Sequence, residues 1–176
     1  MKEKSWYDKT VFVLTKLSDF LNQICCVIVV IVGIIMTASL VWGVFTRFVL
    51  KDPAIFTEEI ARFCLIWLAF IGSSIAMKRK DLTSFRVLAD RLPWRGQKLM
   101  ELIGTVLLMT YLVIFIKSGN DAMGIFERQK ASVTKIPLIY PAMGLYIGAC
   151  VMMVHAVPQL MVQVKEFLTF GKEKEE

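Results

Sequence analysis

The sequence contains one histidine, His155, and no Cys-x-x-Cys pair, so a zinc site finds no ligand set in it. A lone histidine also excludes bis-histidine haem ligation within the chain. Cys25, Cys26, Cys64 and Cys150 all fall in apolar stretches, where a thiol behaves as a small hydrophobe and says nothing of redox compartment. Alternation of apolar and polar residues is missing from the long apolar runs, which are apolar on every side, and this excludes a β-barrel. No charged residue lies between Ile24 and Phe45. The segment before that run is long and mixed in charge, and the run itself is too long for a signal peptide, so it is expected to be retained. No catalytic constellation, cofactor site or metal site is expected, and the chain reads as something other than an enzyme.

What the sequence has instead is apolar length. Of 176 residues, 56% are hydrophobic, and the mean hydropathy is +0.60. A soluble domain usually holds roughly 45–50% apolar residues. A net charge of +6 would suit nucleic acid, but the basic residues sit between apolar runs rather than on one soluble face. Membrane lipids are the better partner for that distribution, because anionic head groups attract juxtamembrane Lys and Arg. The fold class expected is all-α, an integral membrane protein with four transmembrane helices in a single membrane domain, residues 1–176. The spans predicted are about 24–45, 60–77, 99–116 and 140–157. A bilayer crossing takes about 20 residues, and Arg62 and Glu101 can snorkel to lengthen the second and third.

Basic residues also predict orientation. The N-terminal segment, the second connection and the C-terminal tail together hold fourteen Lys and Arg, against six in the other two connections. Under the positive-inside rule both termini are cytoplasmic. Two flanking pieces, about 5–20 and 82–92, have amphipathic spacing. Trp6, Val13, Leu17 and Phe20 recur in the first, and Leu82, Phe85, Leu88 and Leu92 in the second. Basic amphipathic helices lie in the head-group plane, and an ordinary polar loop is the alternative for each.

The segment from Arg47 to Gly72 carries the most information. Thr57 can cap the second helix, with Glu58 and Glu59 in the first turn, where the helix dipole favours acids. Arg62 follows Glu58 by four residues and Glu59 by three, so either can pair with it. A charged cluster at a membrane helix entrance is a functional candidate, with capping, anchoring or an intersubunit contact as the structural alternative. Gly144 and Gly148 form a G-x-x-x-G step on the fourth span. Gly72 with Ala76 and Ser39 with Gly43 are looser versions, and such steps let helix backbones approach within the chain or across to a partner. Trp42, Trp67, Tyr111 and Tyr146 are expected to pack or anchor rather than to form a ligand cage.

These residues resemble the small membrane subunit, or Q subunit, of tripartite ATP-independent periplasmic (TRAP) transporters. The resemblance rests on Arg47 after the first span, Phe56-Thr57-Glu58-Glu59, then Arg62, Trp67 and Gly72. It continues through Lys78–Lys80 to Leu92-Pro93, and to Ile136-Pro137 followed by Tyr140 and Gly144. Many family members carry a histidine and then an aspartate after the second span, where this chain has Leu82 and Arg86, so roles at those positions do not transfer. The resemblance implies a scaffold in a bacterial inner membrane. Its partners would be a large multi-span subunit, sodium-coupled and holding the substrate site, and a periplasmic substrate-binding protein; the cargo would be organic acids such as C4-dicarboxylates or sialic acid. Two other readings stand beside it: a small homo-oligomeric exporter, disfavoured because the first span has no ionisable residue, and a haem-free membrane anchor for a quinone-linked oxidoreductase.

Overall fold

The computed structural model describes residues 2–79 and 94–172. Four helices follow in order: α1 (Lys2–Phe45), α2 (Phe56–Lys78), α3 (Trp94–Arg128) and α4 (Ile139–Lys172). All four are long and apolar enough to cross a membrane, as the uncharged runs predict. The central run of α1 is rich in Val and Ile, residues that favour strands in water. In a bilayer a helix is favoured regardless, because it alone satisfies every backbone group within one segment. Exposed hydroxyls follow the same rule. Thr37 and Thr110 donate to the carbonyls of Gly33 and Val106, one turn back, at 2.9 Å each.

All four helices outrun their predicted spans, α2 by the least. At 1.5 Å per residue, the 44 residues of α1 reach about 66 Å, roughly twice a hydrocarbon core. The predicted interfacial segment 5–20 is helical but continuous with the span, not a separate element. The second, 82–92, lies outside the described residues. α3 runs past residue 116 to Arg128, through Lys117 and Asp121. α1 ends in a single π-helical turn, Thr46–Leu50, after which Lys51 adopts left-handed φ of 56°. Pro53 explains the stop, since it donates no hydrogen bond and steers the preceding residue away from helix.

α4 is the centre of the bundle. Its most apolar stretch is 39% buried, against 6% for those of α1 and α3. α2 and α3 both pack on α4 without their backbones meeting each other, and α1 lies across α2 and α4. One core layer joins Met77, Leu112, Ala149, Met152 and Ala156, with Phe70 and Phe115 stacked at 5.9 Å bridging α2 to α3. A second joins Cys25, Ile71 and Val151, where α1 meets α2 and α4. Ala149 and Ala156 give the first layer its small residues on α4, where the helices approach closely. Outside these layers α1 keeps Val27, Val30, Ile34, Val41 and Phe48 exposed, an apolar face suited to lipid or to another membrane protein.

Candidate functional site

The charged entrance to α2 is built differently from the sequence expectation. Thr57 is not the helix cap. It stands inside the first turn, buried, and its hydroxyl donates to the carbonyl of Ala54 at 2.7 Å. Capping falls to Ile55, which has no side-chain acceptor to offer. Glu58 and Glu59 do occupy the first turn. Among the described residues, however, neither forms an ion pair with Arg62. Glu59 accepts instead from the backbone N–H groups of Thr134 at 2.7 Å and Val133 at 3.4 Å. A carboxylate with two converging N–H donors is better satisfied than one facing a solvated guanidinium, because charge-assisted bonds to fixed backbone cost little side-chain entropy.

Those donors belong to a compact turn between α3 and α4. Ala131 N–H donates to Ile136 and Leu138 N–H to Gln129, both at 2.9 Å, so residues 129–138 fold back on themselves. Lys135 takes left-handed φ of 58° at the bend, and its ammonium donates to Ser132 at 2.8 Å. Ala131 is buried beneath. Glu59 thus pins the turn to α2. Nearby, Thr46 closes the α1–α2 connection: its hydroxyl donates to Gly43 at 3.0 Å and accepts from Ala54 N–H at 3.3 Å. Gly43 makes this crossing feasible, since a Cβ there would sit 2.6 Å from the Thr57 hydroxyl.

The G-x-x-x-G step faces inward. A Cβ at Gly144 would meet the Trp67 indole at 2.6 Å, and one at Gly148 would meet Phe70, backbone included, at 2.7–2.9 Å. Trp67 is fixed further by its ring N–H, which donates to the carbonyl of Tyr140 at 3.1 Å. The α2–α4 contact therefore absorbs Trp67, Gly144 and Gly148 within one chain. Gly72 departs from expectation, because a Cβ there would meet nothing within 4 Å. Arg47, in the π-helical turn, is exposed, as are Glu58 and Arg62. The four aromatics have separate neighbours: Trp42 packs on Phe45, Tyr111 on Phe115, Tyr146 against Gly119 and Trp67 on α4.

The opposite end of the bundle holds polar contacts that sequence spacing did not point to. Ser18 Oγ and His155 Nδ1 share a 2.7 Å hydrogen bond, with His155 only 1% exposed. Asp19 pairs with Lys78 at 2.5 Å, and Lys98 with Glu166 at 2.7 Å. Gln159 donates to the carbonyl of Met77 at 3.2 Å, capping the end of α2. Every ion pair among the described residues lies at this end. The only sequence signal for the buried pair was a lone histidine on an apolar face. Among the described residues no group of three His, Cys, Asp or Glu side chains could hold a metal. What the arrangement can do is hold helices in register.

The sequence matches the family described as Tripartite ATP-independent periplasmic transporters, DctQ component, over residues 36–166. The Sialic acid TRAP transporter small permease protein SiaQ of Vibrio cholerae serotype O1 is 31% identical over 84 residues, 48% of this chain and 49% of that one. A putative TRAP transporter small permease protein of Haemophilus influenzae is 29% identical over 100 residues, 56% of this chain and 62% of the relative. The Isethionate TRAP transporter permease protein DctMQ of Oleidesulfovibrio alaskensis is 27% identical over 114 residues, 64% of this chain but 18% of that protein. The chain thus spans less than two thirds of the length of each of these relatives.

Proposed function

The chain belongs to the DctQ component family of tripartite ATP-independent periplasmic transporters, and we propose that it serves as a non-catalytic scaffold for the large membrane subunit of such a system. In this reading it sits in a bacterial inner membrane with both termini cytoplasmic. The large subunit carries the substrate and sodium sites and changes state, and a periplasmic binding protein delivers an organic acid.

The observation that carries the reading is the uneven burial of the four helices. α4 and α2 form a closed, glycine-stepped contact, while only 6% of the most apolar stretch of α1, and of α3, is fully buried. A rigid inner pair with a broad outer face suits a part that stays still while a neighbour moves. Support for a large partner comes from the Oleidesulfovibrio alaskensis relative, whose name joins an M with a Q and of which the match fills 18%. The names of the relatives differ in cargo, sialic acid in one and isethionate in another. That difference suits a division of labour in which substrate choice lies outside the small subunit, so we assign only the class, organic acids.

The test is purification of the tagged chain from its native host in mild detergent, with mass spectrometry of whatever accompanies it. A much larger polytopic membrane protein in fixed stoichiometry is the expected result. Recovery of the chain alone, as a homo-oligomer, would overturn the scaffold reading.

A further inference from the structure

α2 and α3 both lean on α4 without touching by backbone, and the stacked pair Phe70–Phe115 closes the gap between them midway. Toward the 129–138 turn nothing closes it. A cleft of about 390 Å³ remains there, bounded by α2, α3, α4 and the turn. Its inner wall is apolar, with Phe63 and Ile66 from α2, Met123 from α3 and Leu145 from α4. Arg62 and Lys130 stand at its edge, both exposed. Neither side chain has a hydrogen-bond or ion-pair partner among the described residues. The one acid at the edge, Glu59, has its two oxygens taken by Val133 and Thr134 N–H. The edge is therefore net cationic and the depth is greasy, in that order along the helix axis from the end of the bundle inward.

We propose that this cleft is a binding site for an anionic phospholipid, whose phosphate lies between Arg62 and Lys130 and whose upper acyl chain runs along Phe63, Ile66 and Leu145. The charge order is what selects the occupant. A phosphodiester matches two unpartnered cations, and an arginine fork suits phosphate oxygens. An apolar wall directly below the charge, at the end of membrane-crossing helices, matches a chain attached to that phosphate. A wholly apolar helix from a partner would leave Arg62 and Lys130 unmatched. The inference stands apart from the scaffold reading, since it concerns a cleft inside this chain.

The test uses the full chain reconstituted in phosphatidylcholine vesicles with a trace of phosphatidylglycerol bearing a photoactivatable group on its acyl chain. A parallel sample carries the same chain on phosphatidylcholine. After illumination, peptide mapping locates the adducts. The expected result is labelling at Phe63, Ile66 or Leu145 about fivefold greater from phosphatidylglycerol, the scale on which one basic residue favours an anionic head group. Arg62→Gln with Lys130→Gln should bring that labelling down to the phosphatidylcholine level, while Arg47→Gln with Lys51→Gln should leave it unchanged. Equal labelling by the two probes would overturn the proposal, and so would labelling confined to the outer face of α1. The same holds for a cleft that cross-links to a co-purified protein in place of lipid. If the double variant fails to fold, the ratio of the two probes in the unaltered chain still decides.

Discussion

Gly148 lets α4 rest on the backbone of Phe70: a Cβ at position 148 would come within 2.8 Å of the Phe70 carbonyl carbon and 2.9 Å of its oxygen. Backbone cannot swing aside as a side chain can. Gly148→Ala should therefore push the two helices apart and cost about 1–3 kcal/mol, the usual range for overpacking. Gly144→Ala should cost less, because the atoms it meets belong to the Trp67 side chain, although the Trp67–Tyr140 hydrogen bond resists the shift. Gly72→Ala should be neutral within about 0.5 kcal/mol, having open space around it. Thermal unfolding of the three variants in one detergent checks the order. Equal losses at positions 72 and 148 would show that the α2–α4 contact is not set by the glycine step.

Glu59 is the tie between α2 and the turn at 129–138, across 75 residues of sequence. Removing its charge in Glu59→Gln leaves one weaker acceptor facing two N–H donors. A small loss of stability is expected, because the carboxylate stands near solvent and is screened. The effect should be local. Amide exchange at Val133 and Thr134 should speed up measurably, since both N–H groups lose their charged acceptor. Exchange in the middle of α4 should not change. Arg62→Gln should leave both regions alone, because Arg62 takes no part in the tie. If Arg62→Gln loosened the turn as much as Glu59→Gln, the carboxylate would not be what holds it.

The contrast between these residues shows what the sequence could convey. Four spans were legible because uncharged length in a membrane permits almost one conformation. The step from Gly144 to Gly148 was legible as a close approach, but not its counterpart, since spacing on one helix does not reveal which helix faces it. Glu59 looked like a partner for Arg62 because helical spacing is visible in sequence, whereas a turn 75 residues away is not. Thr57 was read as a cap for its residue type, yet the cap lies two residues earlier, at Ile55, and the Thr57 hydroxyl turns back to Ala54. Thr46 carried no sequence signal, because its work depends on a π-helical turn that brings Ala54 N–H to its hydroxyl.

Ser18 and His155 offer a third test, at the other end of the molecule. His155 is buried, and Ser18 is the hydrogen-bond partner of its Nδ1. Ser18→Ala leaves that nitrogen unmatched and should cost about 1–3 kcal/mol. His155→Ala should cost more, since it also opens a cavity between α1 and α4. The double variant should cost less than the sum of the two, a coupling that a double-mutant cycle of thermal stabilities measures directly. By comparison, Asp19→Asn should lose at most about 1 kcal/mol, because its carboxylate is largely exposed and screened. Strict additivity of Ser18→Ala and His155→Ala would mean that their hydrogen bond does not join the helices.

The two ends also differ in charge, and this gives a prediction of topology. The Ser18–His155 end carries all the ion pairs, and most of the basic residues, among the described residues. The positive-inside rule then places it in the cytoplasm and the 129–138 turn outside. A reporter active only in the periplasm should therefore be active when fused after Arg128 and silent when fused after Asp90. The α1–α2 connection supplies an independent arm. A single cysteine at Asp52, in a variant with the four native cysteines replaced by Ala, should react with a membrane-impermeant maleimide added to intact cells. It is exposed between α1 and α2, at the same end as the turn. Labelling at Asp52 with an active Arg128 fusion would fix both termini on the cytoplasmic side. The reverse pattern in both assays would mean that the basic residues do not set the orientation.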